Sequence, residues 1–212
     1  MQILLDAGNT STKWQLRSGG DIVAGGQGDL RALRDWVAAL DDSKQYAVAV
    51  SCVKDDTYAH EIGHAFESLS SATLHFVKSS ATFAGVRNAY DEPQRLGVDR
   101  WLALLAIKAR GESSAVIIDV GTACTIDVLE NGQHLGGYIF PGMALARDAL
   151  VANTDKIRFS GDPEPSTSLG TDTAGCVLSG IWLTLLASCQ HVIDRFPNAT
   201  VYLTGGSAPE LT

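Results

Sequence analysis

Ile3-Leu4-Leu5-Asp6-Ala7-Gly8-Asn9-Thr10-Ser11-Thr12-Lys13 ends an apolar run in an aspartate, a glycine and a string of small hydroxyl and amide side chains. Far along the chain, Val116-Ile117-Ile118-Asp119-Val120-Gly121-Thr122-Ala123-Cys124-Thr125 repeats the arrangement. Glycine lets a backbone turn sharply and approach a phosphate. Neighbouring N–H and hydroxyl groups donate to its oxygens, and a carboxylate holds a cation that neutralises them. Either aspartate alone could be an ordinary strand-end turn former. The duplication argues instead for a repeated phosphate-handling fold, with Lys13 as a mobile positive charge that the second copy lacks. A polyphosphate gripped by two loops, with metal between them, is the simplest ligand that suits both.

Outward from the first loop, the pattern predicts strands near 12–17 and 21–25 with Gly19-Gly20 as their turn, which makes a β-meander. Leu30, Leu33, Val37 and Leu40 then recur at helical spacing behind Asp29, a residue suited to capping. Strand 46–52, a helix near 57–69 and strand 73–77 follow. The second half repeats the plan: strand 115–119, strand 124–129, a turn at Asn131-Gly132 and strand 135–140. A helix after Pro141-Gly142, a polar stretch over 160–170, a helix from about Asp172 to Arg195 and strand 200–204 complete it. Strands alternating with helices predict an α/β chain of two domains, 1–114 and 115–212, each a mixed five-stranded-type sheet flanked by helices.

Composition narrows the partners. The 212 residues include 16 basic and 24 acidic side chains, a net charge of −8, with no Lys/Arg-rich run, so no nucleic acid is expected to bind. The amino terminus enters a strand directly, without a basic segment or a cleavage site, so secretion is not indicated. The longest apolar runs, such as Trp101 to Ile107, read as too short to cross a bilayer. Cys52, Cys124, Cys176 and Cys189 have neither C-x-x-C nor disulfide-scaffold spacing and read as buried thiols of a cytoplasmic protein.

Strand, strand, strand, helix, strand, helix in duplicate resembles the actin and sugar-kinase ATPase superfamily, a duplicated ribonuclease H-like fold whose domains clamp ATP. Within it, Asn88-Ala89-Tyr90-Asp91-Glu92-Pro93-Gln94-Arg95-Leu96-Gly97-Val98-Asp99-Arg100-Trp101 resembles the substrate signature of type III pantothenate kinases. Those enzymes phosphorylate pantothenate at the start of coenzyme A synthesis. Gly136-Gly137-Tyr138-Ile139-Phe140-Pro141-Gly142, Gly170-Thr171-Asp172-Thr173 and Ser179-Gly180-Ile181 match that family in type and order.

The resemblance implies roles. Asp99 would be the proton acceptor, with Tyr90, Gly97, Val98, Arg100 and Thr173 around pantothenate. Asp6, Ala7, Gly8, Asn9, Thr10, Ser11, Thr12 and Lys13 would hold the ATP phosphates, Asp6 with the accompanying Mg²⁺. Thr122 would touch phosphate, and Asp119 would bind a monovalent cation, K⁺ or ammonium. The chemistry agrees: the acceptor has a hydroxyl that wants a base and a carboxylate that suits a planar guanidinium. Taken alone, Asp99 is better read as favouring a helix N-terminus, and Thr173 as a helix-start residue. The resemblance also implies a homodimer; Trp101, Leu104 and Leu105 suit its apolar interface or the core of the monomer equally well. Relatives usually continue beyond Thr204-Gly205-Gly206 with a further helix, which carries the expectation of weaker ATP binding in a chain ending at Thr212.

Other readings compete. A different small-molecule kinase of the same superfamily, such as a sugar kinase, would share the loops but not the segment from Tyr90 to Trp101. A non-catalytic nucleotide-binding member would not need Asp6, Lys13, Asp99 and Arg100 together. His60-Glu61-Ile62-Gly63-His64 spells the H-E-x-x-H of zinc peptidases. Tyr58, Ile62, Phe66 and Leu69 define the buried face of that helix, which leaves both histidines on its solvated side.

Overall fold

The computed structural model describes residues 1–159, 164 and 166–211, and for 210 and 211 the backbone alone. Part of the polar stretch expected at 160–170 therefore lies outside the described residues. The chain forms two compact units, Met1–Ser80 with Glu92–Leu102, and Ala81–Asp91 with Ala103–Thr212.

In the first unit, β1 (Gln2–Ala7), β2 (Thr12–Ser18) and β3 (Asp21–Gly28) form the expected antiparallel meander. Strands β4 (Tyr46–Cys52) and β5 (Ala72–Phe76) add in parallel on the other side of β1, giving the order β3-β2-β1-β4-β5. Helix α1 (Leu30–Ala38) begins where Asp29 Oδ1 accepts the Ala32 N–H at 2.9 Å, and α2 (Asp56–Ala65) begins the same way on Asp55. Ile3, Leu5 and Ala7 alternate inward along β1 and join Val48, Val50, Leu33, Val37 and Ile62 in one core. Each buried Val, Leu or Ile side chain contributes about 1.5–3 kcal/mol.

The second unit is built on β8 (Ala115–Val120), β9 (Ala123–Glu130) and β10 (Gln133–Pro141), with β11 (Thr200–Thr204) parallel to β8. Asn131 and Gly132, at φ +51° and +77°, make the tight turn between β9 and β10. Two short strands were not foreseen, β6 (Thr82–Phe83) and β7 (Val86–Arg87); they extend this sheet to six strands in the order β11-β8-β9-β10-β7-β6. At two residues each they carry no readable periodicity. Helices α4 (Met143–Asn153) and α5 (Thr173–Arg195) follow the meander, and α3 (Val98–Ala109) contributes Val98–Leu102 to the first unit and its remainder to the second.

Two expectations need correction. Helix α5, at 23 residues with a mean hydropathy of 1.6 over its most apolar window, is long and apolar enough to cross a membrane. The helix lies where the sequence predicts it, but Thr184, Ser188 and Gln190 interrupt its apolar run. Here Leu178, Leu185, Cys189 and Val192 of α5 are buried, the last three in one core with Val116, Ile118 and Ile126. Trp101 and Leu104 are buried at 1% and 0% exposure, so the apolar area assigned to them for dimerisation is not on the surface.

Candidate active site

In the first unit, Asp6 ends β1 and stays exposed, and Ser51 Oγ of the neighbouring strand β4 donates to its Oδ1 at 3.1 Å. Residues Gly8–Ser11 connect β1 to β2, with Asn9 and Thr10 exposed. A Cβ on Gly8 would meet only Ser11 O at 3.4 Å, an ordinary contact. The protein fold alone therefore does not demand glycine there. Lys13 is exposed on β2, whereas Thr12 is fully buried with its Oγ1 2.7 Å from Tyr58 OH, a contact that ties the loop to α2. Ala7 is also buried, and its carbonyl accepts the Val53 N–H at 3.2 Å.

The same unit holds the start of α3. The Gly97 carbonyl accepts the Trp101 N–H at 3.0 Å, placing Val98, Asp99 and Arg100 in the first helical turn. The Asp99 carboxylate is exposed and folds back so that its Oδ1 accepts the Arg100 N–H at 2.8 Å. A Cβ on Gly97 would lie 2.6 Å from that oxygen, so the carboxylate occupies space only glycine leaves. Among the described residues Asp99 has no second hydrogen-bond partner. Val98 and Arg100 are buried, at 8% and 6% exposure. Ser79 Oγ donates to Leu96 O at 2.7 Å and anchors the segment leading into the helix.

The second unit holds Asp119, Thr122, Tyr90 and Thr173. Asp119 ends β8 opposite Thr204 of β11, and Gly205 follows at φ +100°, so close that a Cβ would lie 2.3 Å from Val120 O and 2.5 Å from Asp119 Oδ1. Thr122 O accepts the Gly142 N–H at 3.0 Å, which joins the loop to the Pro141-Gly142 turn. Thr173 opens α5, exposed, behind Asp172, whose Oδ1 accepts the Gly175 N–H at 2.8 Å. Tyr90 is half-buried; its N–H donates to Asn88 Oδ1 at 3.0 Å and its ring stacks on His134. Next to the loop, the hydrogen bond shared with Cys189, then burial, hold the Cys124 thiol protonated far above its ordinary range.

His60 and His64 sit one turn apart on α2, as predicted, but with Nδ1 engaged by Asp56 O and Glu67 Oε1 at 2.8 and 2.7 Å. Glu61, the base of a peptidase reading, is ion-paired with Arg34. Among the described residues no three His, Cys, Asp or Glu side chains converge as a metal site.

The sequence profile described as type III pantothenate kinase matches residues 2–195. The chain belongs to the type III pantothenate kinase family. A curated relative, the type III pantothenate kinase of Marinobacter nauticus, is 32% identical over 217 residues, covering 100% of this chain and 89% of its own length. Among solved structures, a protein described as a Baf family transcriptional activator from Campylobacter jejuni has a TM-score of 0.61 at 18% identity, covering 99% of this chain and 85% of its own. A protein described as a 2-dehydro-3-deoxygalactonokinase from Sinorhizobium meliloti has a TM-score of 0.58 at 11% identity, covering 100% and 93%. At those identities the structural likeness speaks for the fold alone, that of the actin and sugar-kinase ATPases, in its α/β, duplicated form. Family membership makes the chain a kinase that phosphorylates pantothenate.

Sequence reasoning did not find Ser51, His134 or Asp127. Ser51 is apparent only from strand register, and His134 only from a bulge that turns it inward.

Proposed function

We propose that this kinase transfers the γ-phosphoryl group of ATP to the primary hydroxyl of pantothenate, with Asp99 accepting the hydroxyl proton. The observation that carries Asp99 is its geometry: an exposed carboxylate at a helix N-terminus, one oxygen bonded to the Arg100 N–H and pressed against Gly97. Its other oxygen is thereby left to a substrate. Phosphoryl transfer needs mainly alignment and charge neutralisation, so a base that takes the proton late is sufficient. Tyr90, Gly97, Val98, Arg100 and Thr173 are the acceptor-binding residues in this reading, and Arg100 supplies the charge complementary to the acceptor's carboxylate.

Asp6 and the loop Gly8–Ser11, with Lys13, take the ATP phosphates. Thr12 supports the loop through Tyr58 rather than touching phosphate, and Thr122 contacts phosphate from the second loop. The residues suit the ions a kinase of this family needs. Asp6 is a single exposed carboxylate, and Mg²⁺ takes one or two carboxylates with phosphate oxygens and water. Asp119 and Val120 O form an oxygen-rich corner under Gly205, suited to K⁺ or ammonium. Bound there, these ions would neutralise phosphate charge.

Residues 1–114 and 115–212 are read as the two copies of the duplication. The exposed Leu145, Leu150 and Leu183 on α4 and α5 are the apolar surface that a homodimer would cover, and sedimentation of an active monomer would contradict that pairing. The reading places the enzyme in the cytoplasm, without nucleic acid or membrane as a partner.

The test is a coupled phosphorylation assay with pantothenate against a panel of sugars, with and without K⁺. Turnover with pantothenate that rises with K⁺ is expected; turnover with a sugar alone would replace the acceptor. Asp99→Asn should fold and bind ATP yet lose roughly a hundred-fold in turnover. A fully active variant removes Asp99 from the role.

A further inference from the structure

Resting on the reading of Tyr90 as a substrate-binding residue, we propose that His134 and Asp127 are positioning residues that hold the Tyr90 ring in its binding orientation. Strand β10 shifts register between His134 and Gly136, a β-bulge made possible by Gly136 at φ +113°. A bulge adds one residue to one strand, bends it and re-aims a side chain. Here it accompanies a His134 that is fully buried, while the next residue, Leu135, is 46% exposed.

Inside, His134 Nε2 donates to Asp127 Oδ1 at 2.8 Å, and Asp127 is 2% exposed. His134 Nδ1 is buried without a hydrogen-bond partner. A carboxylate can only accept, so the proton belongs on Nε2, and Asp127 fixes both the tautomer and the ring plane. On that fixed plane lies Tyr90: the ring centroids are 6.3 Å apart and the planes 15° from parallel, within the range of offset-stacked pairs. The Asn88 Oδ1 contact to the Tyr90 N–H sets the backbone, and the buried imidazole sets the ring. A histidine and a carboxylate in a strand core exceed what packing alone requires, since an apolar pair of equal volume would fill the space without desolvating charge. A rigid, correctly turned support for a ligand-facing tyrosine is the use that fits their position.

The experiment measures pantothenate and ATP kinetics of His134→Gln, Tyr90→Ala and the double variant. Gln keeps a donor toward Asp127 and removes the ring. His134→Gln should raise the pantothenate KM about three- to ten-fold, the worth of one aromatic pair, and leave the ATP KM unchanged. In the Tyr90→Ala background it should add nothing, because a residue acting through Tyr90 has nothing left to act on. An unchanged pantothenate KM in His134→Gln beside a raised one in Tyr90→Ala overturns the inference and leaves the site reading intact, as do effects that multiply in the double variant. An unchanged KM in Tyr90→Ala sinks the reading of Tyr90 itself. Should His134→Gln not fold, His134→Phe combined with Asp127→Leu keeps an aromatic ring without a stranded carboxylate. It should hold the pantothenate KM within about three-fold of the parent, and a larger rise counts against the ring support.

Discussion

The two sheets share a four-strand plan, β3-β2-β1-β4 in the first unit and β10-β9-β8-β11 in the second, yet their aspartates sit in different settings. Both end the central strand, and both face a hydroxyl residue on the parallel neighbour, Ser51 beside Asp6 and Thr204 beside Asp119. Beyond that pair the copies diverge. In the first, four residues, Gly8–Ser11, join the strands, and Val53 N–H closes directly onto Ala7 O at 3.2 Å. In the second, only Gly121 and Thr122 join them, and Gly205 at φ +100° adds a residue before Ser207 N–H closes onto Val120 O at 3.0 Å. The longer loop, with Asn9 and Thr10 exposed and Lys13 just beyond it on β2, suits a polyphosphate; the tighter corner, crowded by backbone carbonyl and glycine, suits a small ion. On the proposed reading, loop length and one left-handed glycine divide one arrangement between two tasks.

Breaking each aspartate in turn gives the largest contrast. Asp6→Ala should lower kcat/KM roughly a hundred-fold or more at any K⁺ concentration, whereas Asp119→Ala should mainly abolish stimulation by K⁺. Equal, K⁺-independent losses in steady-state assays would erase the division of labour. Next comes Gly205→Ala, where a side chain must accept φ +100° and a 2.3 Å approach to Val120 O. A destabilisation of about 1–3 kcal/mol is expected, seen as a Tm lower by roughly 2–10 °C. Gly206→Ala, with open space around its Cβ position, should stay within about 0.5 kcal/mol. If the two melt alike, the corner is not built on Gly205.

Gly8→Ala sharpens the comparison from the other side. Its neighbours leave room for a methyl group, so Tm should hold while the KM for ATP rises about ten-fold, a 1.4 kcal/mol loss of close approach. A drop in Tm with unchanged KM would return Gly8 to a purely structural role. The smallest effect concerns the thiols of the second core. Cys124 and Cys189 are both buried, and the bond to Cys189 also keeps Cys124 protonated, so alkylation at neutral pH followed by mass spectrometry should mark the exposed Cys176 and spare Cys124. Early labelling of Cys124 would mean that the core opens beside the second loop.

Most elements were legible because local chemistry and global fold agree on them. Asp29 caps α1 where the Leu30, Leu33 and Val37 stripe begins, Asn131-Gly132 makes the β9–β10 turn, and both apolar runs ahead of the aspartates are central strands. What was illegible depends on contacts between residues far apart in sequence. Two-residue strands at 82–87 exist only because β10 offers an edge, and α5, placed correctly, hides its apolar character behind polar residues such as Thr184, whose hydroxyl bonds back to Gly180 O at 2.8 Å. At the site, Thr12 looked equivalent to Thr10 and Ser11, and only folding shows it turned inward to Tyr58.

By itself the sequence determined the α/β class and the repeated loop motif, because these depend on residue types and spacing along the chain, and its motifs carried the resemblance that named the family. Tertiary structure alone decided that Ser51 reaches Asp6, that Gly205 crowds Asp119 and that a buried His134 backs Tyr90. Strand register and a bulge set those contacts, and neither follows from the local preference of any one segment, since pairing energy is shared between strands distant along the chain.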